Sequence, residues 1–358
     1  MFANYSSYLN NNIMQDITKV TKHIKNKKVI VVGDFFLDRY TYIDDSQTGT
    51  SLYTGKSAYS IDHIETSPGA AGTIAKNFAL LGVGDVYAVG FCGNDGDGYT
   101  LLQNLKTLQI HTDGMLVFEE RLTPSYTMIM RNSGNGYIEE SEVSVQNHKL
   151  TTPEIEQALI HNIKSLIKKV HPDAIIFLDQ LDSENYGVIT NAMRGFINEI
   201  HSSFPYILTY VDSRQFIKEF SNTIIRKCNN FEFVRAYSAD QSKIPALCEN
   251  LSAASDIPLI VTLGADGTLL SKNGSTIMIP AFTVNGNIDT RGAGDAFSTG
   301  YIAAKICGVS EYGSVIIGNA AAACCVSQIA STGKIKIPIL RNVLKSCAPQ
   351  INPYGGSL

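Results

Sequence analysis

Charged residues are scarce in this chain, 17% of 358, where an ordinary globular domain carries roughly 25%. Basic residues are not in excess either: 29 Lys and Arg stand against 33 Asp and Glu, a net charge of −4. Such a balance does not attract phosphate backbones, which argues against a nucleic-acid binder. Long apolar runs are also missing. The stretch from Ser314 to Ala330 is broken by Asn319, Ser327 and Gln328, so it reads as a core helix and no membrane partner is expected. The start, MFANYSSYLNNN, has neither a basic end nor an apolar block, so no secretory signal is expected. The seven cysteines, at 92, 228, 248, 307, 324, 325 and 347, are odd in number and form no C-x-x-C. Buried reduced thiols and a cytoplasmic location are the expectation. With 44% hydrophobic residues the chain has ample material for a core, which excludes wholesale disorder.

The apolar pattern indicates an α/β fold. Val29-Ile30-Val31-Val32 is a β-branched run ended by Gly33-Asp34, as in a strand covered on both faces. Similar runs recur at Ala174–Leu178, Tyr206–Val211 and Leu259–Leu263. Helical patterns fall at Ile13–Ile24, Ala70–Leu81, Asp97–Leu108, Pro153–Lys168 and Asn185–Ile200, and the first eleven residues read as loose. This alternation implies a mostly parallel sheet with helices on both faces. Segments 40–66 and 121–148 break it with short, polar, strand-like stretches. They read as a small β-rich lid on a single domain spanning 13–349.

The chemistry is concentrated in Asp289-Thr290-Arg291-Gly292-Ala293-Gly294-Asp295. Small residues before an amphipathic run let a ligand approach the unpaired N–H groups of a first helical turn, and the helix dipole favours an anion there. An Asp in that turn is placed to accept a proton from an attacking hydroxyl. Taken alone, GxGD is more often a turn with an N-capping carboxylate. Two other strings fail as phosphate sites. Gly49 to Ser57 has five residues between its glycines where a P-loop has four, and Gly82-Val83-Gly84 has Tyr87 where a dinucleotide fingerprint needs a third glycine. No H-E-x-x-H occurs, which disfavours a zinc hydrolase.

From Lys28 to Gly333 the chain resembles the ribokinase-like, or PfkB-type, carbohydrate kinases. Residues 289–295 are similar to the family signature D-T-x-G-A-G-D. Pro68-Gly69-Ala70-Ala71-Gly72 with Asn77 resembles its first signature, Gly93 to Gly98 its G-x-D-x-x-G continuation, and Asn229-Asn230-Phe231-Glu232 its N-x-x-E element. Val261 to Gly267 is similar to the family's turn at the nucleotide, and Asn319 to Thr332-Gly333 to the helix beside the base. Gly33-Asp34-Phe35-Phe36-Leu37-Asp38-Arg39-Tyr40 is nearest in form to the heptose-phosphate kinase branch.

The resemblance implies a three-layer α/β/α domain using ATP and Mg²⁺, and leaves open a monovalent cation. Asp295 would be the base, with the N–H groups of Gly292, Ala293 and Gly294 as the anion site. Asn229, Glu232, Thr262, Gly264, Gly267, Arg291 and Asn319 would face the nucleotide, with Glu232 in the outer shell of the metal through water. Asp38, Arg39, Gly69, Ala70 and Thr73 would hold a sugar or sugar phosphate, and homodimers would form through the lid. Arg39 suits a substrate phosphate, and a surface ion pair is the alternative; Asn319 could equally satisfy buried backbone. Ala70 replaces a usual Gly and Thr73 a usual Asn, Lys227-Cys228 stands for Lys-Pro, and Asp179-Gln180-Leu181-Asp182-Ser183 lacks the lysine of the heptose branch. The alternatives are a nucleoside kinase of the same fold and a non-catalytic sugar-binding or regulatory protein. Asp212-Ser213-Arg214, at a strand end, could face the cleft but is left outside the site.

Overall fold

The computed structural model describes residues 2–134, 136–286, 288–328 and 334–346. A nine-stranded sheet forms its centre. From one edge to the other the strands are Ser275–Ile279, Thr268–Lys272, Leu259–Thr262, Ile225–Asn229, Leu208–Ser213, Ala174–Asp179, Lys28–Gly33, Asp85–Gly93 and His111–Phe118. The seven from Leu259–Thr262 onward run parallel, and the first two close that edge as an antiparallel pair. All four apolar runs therefore lie in one sheet. Within the strands they are largely buried because helices cover both faces, and that burial is why they read as continuous apolar runs. Three apolar clusters fill the layers, the largest joining the sheet to Ala71–Leu81, Ala293–Ile306 and Glu311–Val326. The last two helices pack through small residues: a Cβ at Gly300 would fall 2.7 Å from that of Ala321.

A second sheet stands beside the first, ordered Ile61–Ala70, Phe35–Ile43, Ser125–Asn132, Tyr137–Val145. The segments 40–66 and 121–148 run through it, but its strands begin earlier, at Phe35, and end later, at Ala70. Gly49–Thr50 and Ser57–Ala58 form a small exposed hairpin where the P-loop-like string lies.

Several boundaries differ from the sequence expectation. Residues Phe2–Asn11 form a helix and are not loose, because Tyr5 and Leu9 bury in the core and the Tyr8 hydroxyl donates to Asp16 Oδ2 at 2.6 Å. The helix expected from Asn185 begins at Asn191, where Thr190 caps it by accepting the N–H of Met193. The strand expected from Tyr206 is Leu208–Ser213, so Asp212 and Ser213 lie within it. Thr332-Gly333 and the end of the expected domain beyond 346 lie outside the described residues.

The join between Ile61–Ala70 and Ala71–Leu81 is abrupt. Ala70 turns the chain at φ 51°, ψ −119°, a region that costs a residue with a Cβ about 1–3 kcal/mol. Replacing Ala70 with Gly relieves that cost and adds about 0.4–1 kcal/mol of unfolded-state entropy against folding. The expected result is a net stabilisation of about 1 kcal/mol in urea unfolding. A destabilised variant would show that the backbone at this position is unstrained.

Candidate active site

The strands Ala174–Asp179, Leu208–Ser213, Ile225–Asn229 and Leu259–Thr262 end on one edge of the sheet in matched register. In an open α/β sheet this carboxyl edge is where ligands sit. The helix Ala293–Ile306 starts at the same edge. Gly292 sits before it at φ 73°, a left-handed conformation natural to glycine. The Ala293 N–H turns back to the Thr290 carbonyl at 3.2 Å, and the first intrahelical bond is Ala296 N–H to Gly292 O. Gly294 and Asp295 therefore supply the outward-facing donors of the first turn.

Asp295 keeps part of its surface open to the cleft although protein atoms crowd it closely. Burial, reinforced by the negative charge of Asp212, raises its pKa to about 7, while Lys227, Arg214 and Gln180 act the other way. Gln180 Nε2 donates to Asp295 Oδ1 at 3.3 Å. Beneath lies a buried network: Lys227 Nζ donates to Asp212 Oδ2 at 2.8 Å, Ser298 Oγ donates to the same oxygen at 3.3 Å, and the Tyr210 hydroxyl shares a 2.7 Å bond with Ser298. A Cβ on Gly294 would lie 3.1 Å from Lys227 Nζ, so this ammonium lies directly under the first turn. Burial alone would lower Lys227, but the carboxylates of Asp212 and Glu232 carry it up to about 12.

On the second sheet, Phe36, Asp38 and Tyr40 share one face, because side chains alternate along a strand. Asp38 is pushed up to about 6 by burial; Lys76 and Arg291 oppose that and Glu142 adds to it. Gly69 makes room for it, since a Cβ there would sit 2.3 Å from Asp38 Oδ1. Thr73 is buried on the helix that follows, one turn before Lys76 and on the same side.

Arg39 does not join this group. It occupies the other face of the strand, where it pairs with Asp97 and donates to Thr127 Oγ1 at 3.4 Å. Thr66, its cross-strand neighbour, accepts from Asn104 of the same helix as Asp97. The one-residue step from 38 to 39 is what turns Arg39 away from the acceptor carboxylate.

On the nucleotide side, Asn229 and Glu232 form a capping box. The Asn229 side chain accepts the Glu232 N–H at 2.9 Å, and Glu232 Oε2 accepts the Asn229 N–H at 2.7 Å. Their spacing thus has a helix-starting purpose of its own. Burial, then the nearby Asp212, raises the Glu232 carboxyl despite Lys227. Thr262 ends its strand, and Gly264 and Gly267 adopt positive φ in the turn that follows. The Asn319 amide is committed to the wall: its oxygen accepts from Thr268 Oγ1 at 2.7 Å, and its nitrogen donates to the carbonyls of Ile279 and Pro280. Arg291 ties the signature loop to the second sheet, holding Asp289 at 3.0 Å and Glu139 at 2.8 Å. Among the described residues, no group of three or more His, Cys, Asp or Glu side chains is placed to hold a metal directly.

Sequence reasoning left four residues out of the site: Lys76, Asp212, Arg214 and Lys227. Asp212 and Arg214 had a visible signal in their place at a strand end. Lys227 stood where the family has the Lys of its Lys-Pro, while Lys76 had no signal, because a single basic residue within a helix looks like any solvated one.

Comparison with known proteins agrees with this architecture. The model of the pfkB family carbohydrate kinases matches residues 26–337. A bifunctional protein HldE from Bradyrhizobium is 24% identical over 92% of this chain, which spans 66% of that protein's length. Among solved structures, an Arabidopsis thaliana ribokinase complexed with ribose and ATP superposes with a TM-score of 0.63 at 19% identity, covering 89% of this chain and 98% of that one. A Methanocaldococcus jannaschii nucleoside kinase gives 0.59 at 20% identity, covering 90% and 99%. At these identities the structural likenesses establish the ribokinase fold. With seven-eighths of its length matched by one family model, the chain belongs to the pfkB family of carbohydrate kinases.

Proposed function

We propose that this protein transfers the γ-phosphoryl group of ATP to a hydroxyl of a sugar or sugar phosphate. The observation that carries the reading is Asp295, held at the open first turn of a helix with a pKa raised to about 7 by burial. That is the range in which a carboxylate serves as a general base at neutral pH. The acceptor hydroxyl lies between Asp38 and Asp295. Asp295 takes its proton as the oxygen attacks phosphorus, and the Gly294 and Asp295 N–H groups face the charge that gathers on the phosphoryl oxygens. Arg214, exposed at the strand end and close enough to act on both Asp295 and Glu232, adds positive charge there. Mg²⁺ carried by the nucleotide supplies charge neutralisation when bound. Glu232 would hold it through water, in keeping with an ion bound mainly by phosphates.

The second sheet acts as a lid over the acceptor and excludes water. Its site-facing side carries Tyr40, Tyr42, Met128 and Met130 in one buried cluster. Arg39 serves this lid by anchoring it to the helix Gly96–Thr107, so a phosphorylated acceptor does not depend on Arg39. Asn319 supports the base-side wall through its three bonds. Two copies pair through their lids, a reading supported by the exposed Ile64, Ile138 and Val143 of that sheet. A cytoplasmic location is supported by the six buried free thiols among the described residues.

The test is ATP consumption over a panel of sugars, sugar phosphates and nucleosides. Turnover with a sugar or sugar phosphate is the expected result. The nucleoside kinase of the same fold among the structural neighbours makes nucleosides the informative competitor. Preferred turnover of a nucleoside would overturn the acceptor class, and binding of sugars without ATP consumption would overturn the kinase reading.

A further inference from the structure

The helix Ala71–Leu81 carries Lys76 to the acceptor side of the second sheet, against Ser67. The residue is only 8% exposed, an uncommon state for a lysine. Its Nζ donates to Ser67 Oγ at 2.9 Å. Ser67 is the cross-strand partner of Asp38, so the ammonium lies beside the carboxylate that Gly69 was cleared to admit. Its charge acts on Asp38 and on Asp295.

We propose that Lys76 is a positioning residue of the acceptor site, holding Asp38 as a carboxylate able to accept sugar hydroxyls. The role of Asp38 in this statement rests on the kinase reading; the electrostatic coupling of Lys76 to Asp38 does not. The physical case is direct. Burial favours the neutral acid at position 38, and a neutral acid presents a donor where a sugar hydroxyl needs an acceptor. Three charged groups face Asp38 from the elements around it: Lys76 from the helix, Arg291 from the signature loop and Glu142 from Tyr137–Val145. Arg291 is already bound to Asp289 and Glu139, and Glu142 acts in the wrong sense. Lys76 is therefore the chief counter-charge. Lys76 itself is lowered by burial and by Lys334, while Asp38, Cys325 and Asp295 draw it back toward the cation.

The test compares Lys76→Met, which keeps the length and removes the charge, with Lys76→Arg, which keeps the charge. Carboxyl titration by carbon-13 NMR on the full chain, with Asp38→Asn to assign the signal, needs no acceptor. The Asp38 midpoint is expected near pH 6 in the parent, about one pH unit higher in Lys76→Met, and close to the parent in Lys76→Arg. Should Lys76→Met fail to unfold cooperatively, Lys76→Gln replaces it with the same expectation. With whichever sugar turns over fastest, KM at pH 6.5 is expected to rise roughly threefold in the neutral variant and to approach the parent value at pH 8.5, with a smaller change in kcat. On an Asp38→Asn background the same substitution should leave KM unaltered. An Asp38 midpoint that does not move would overturn the inference even in an active kinase. Absence of turnover with every acceptor, by contrast, would count against the kinase reading, and the titration would still decide for Lys76.

Discussion

Asp295→Asn is expected to reduce kcat by about 10²- to 10⁴-fold, the usual loss when a general base is removed, while nucleotide affinity stays near that of the parent. The amide preserves shape but cannot take the hydroxyl proton. Parent activity should rise with pH through about 7, as Asp295 loses its proton; the variant's residual rate should lack that limb. Stability should move the other way. A carboxyl raised on folding is most costly to the folded state once pH exceeds its folded value. The variant should therefore gain in Tm at pH 8 and gain less at pH 4, where the parent residue is already neutral in the folded protein. Stopped-time ATP consumption, nucleotide titration and thermal unfolding at the two pH values check the three parts. A kcat within a few-fold of the parent would remove Asp295 from proton transfer.

Lys227→Met should be the most destabilising change in the site. Asp212 would keep its buried carboxylate and its contacts with Ser298 but lose the ammonium at 2.8 Å. Breaking one side of a buried pair costs about 3–5 kcal/mol. Replacing both members at once, Lys227→Met with Asp212→Leu, should recover much of that loss, because no buried charge is left alone. It should not recover activity, since Lys227 lies directly under Gly294 at the start of the anion site. Urea unfolding and kcat measured on all three variants separate these effects. A loss below about 1 kcal/mol in the single variant would mean that Asp212 is satisfied without Lys227.

The layered fold was legible because its evidence is local. Each parallel strand is buried on both faces and so spells a short apolar run, and each helix between strands spells a 3.6-residue stripe. The signature loop was legible for a related reason: the close approach of backbone to an anion demands small residues in a row, and Gly292-Ala293-Gly294 before Asp295 states that demand openly. The capping geometry of Asn229 and Glu232 likewise follows from a spacing of three.

What the chain order could not convey was the company each side chain keeps. Asp38 and Arg39 are neighbours in sequence, yet the pleat sends one to the acceptor side and the other to Asp97. Asn319 reads as a polar residue at a site, and only the packing of its helix against Thr268 and the carbonyls of Ile279 and Pro280 shows its bonds committed. Lys76 carries no motif at all, and nothing in Lys227-Cys228 shows that the ammonium is buried. Their importance comes from burial beside carboxylates of other elements, Asp38 and Asp295 for Lys76 and Asp212 and Glu232 for Lys227, and charge in a low-dielectric interior is decided by those neighbours, not by residue type.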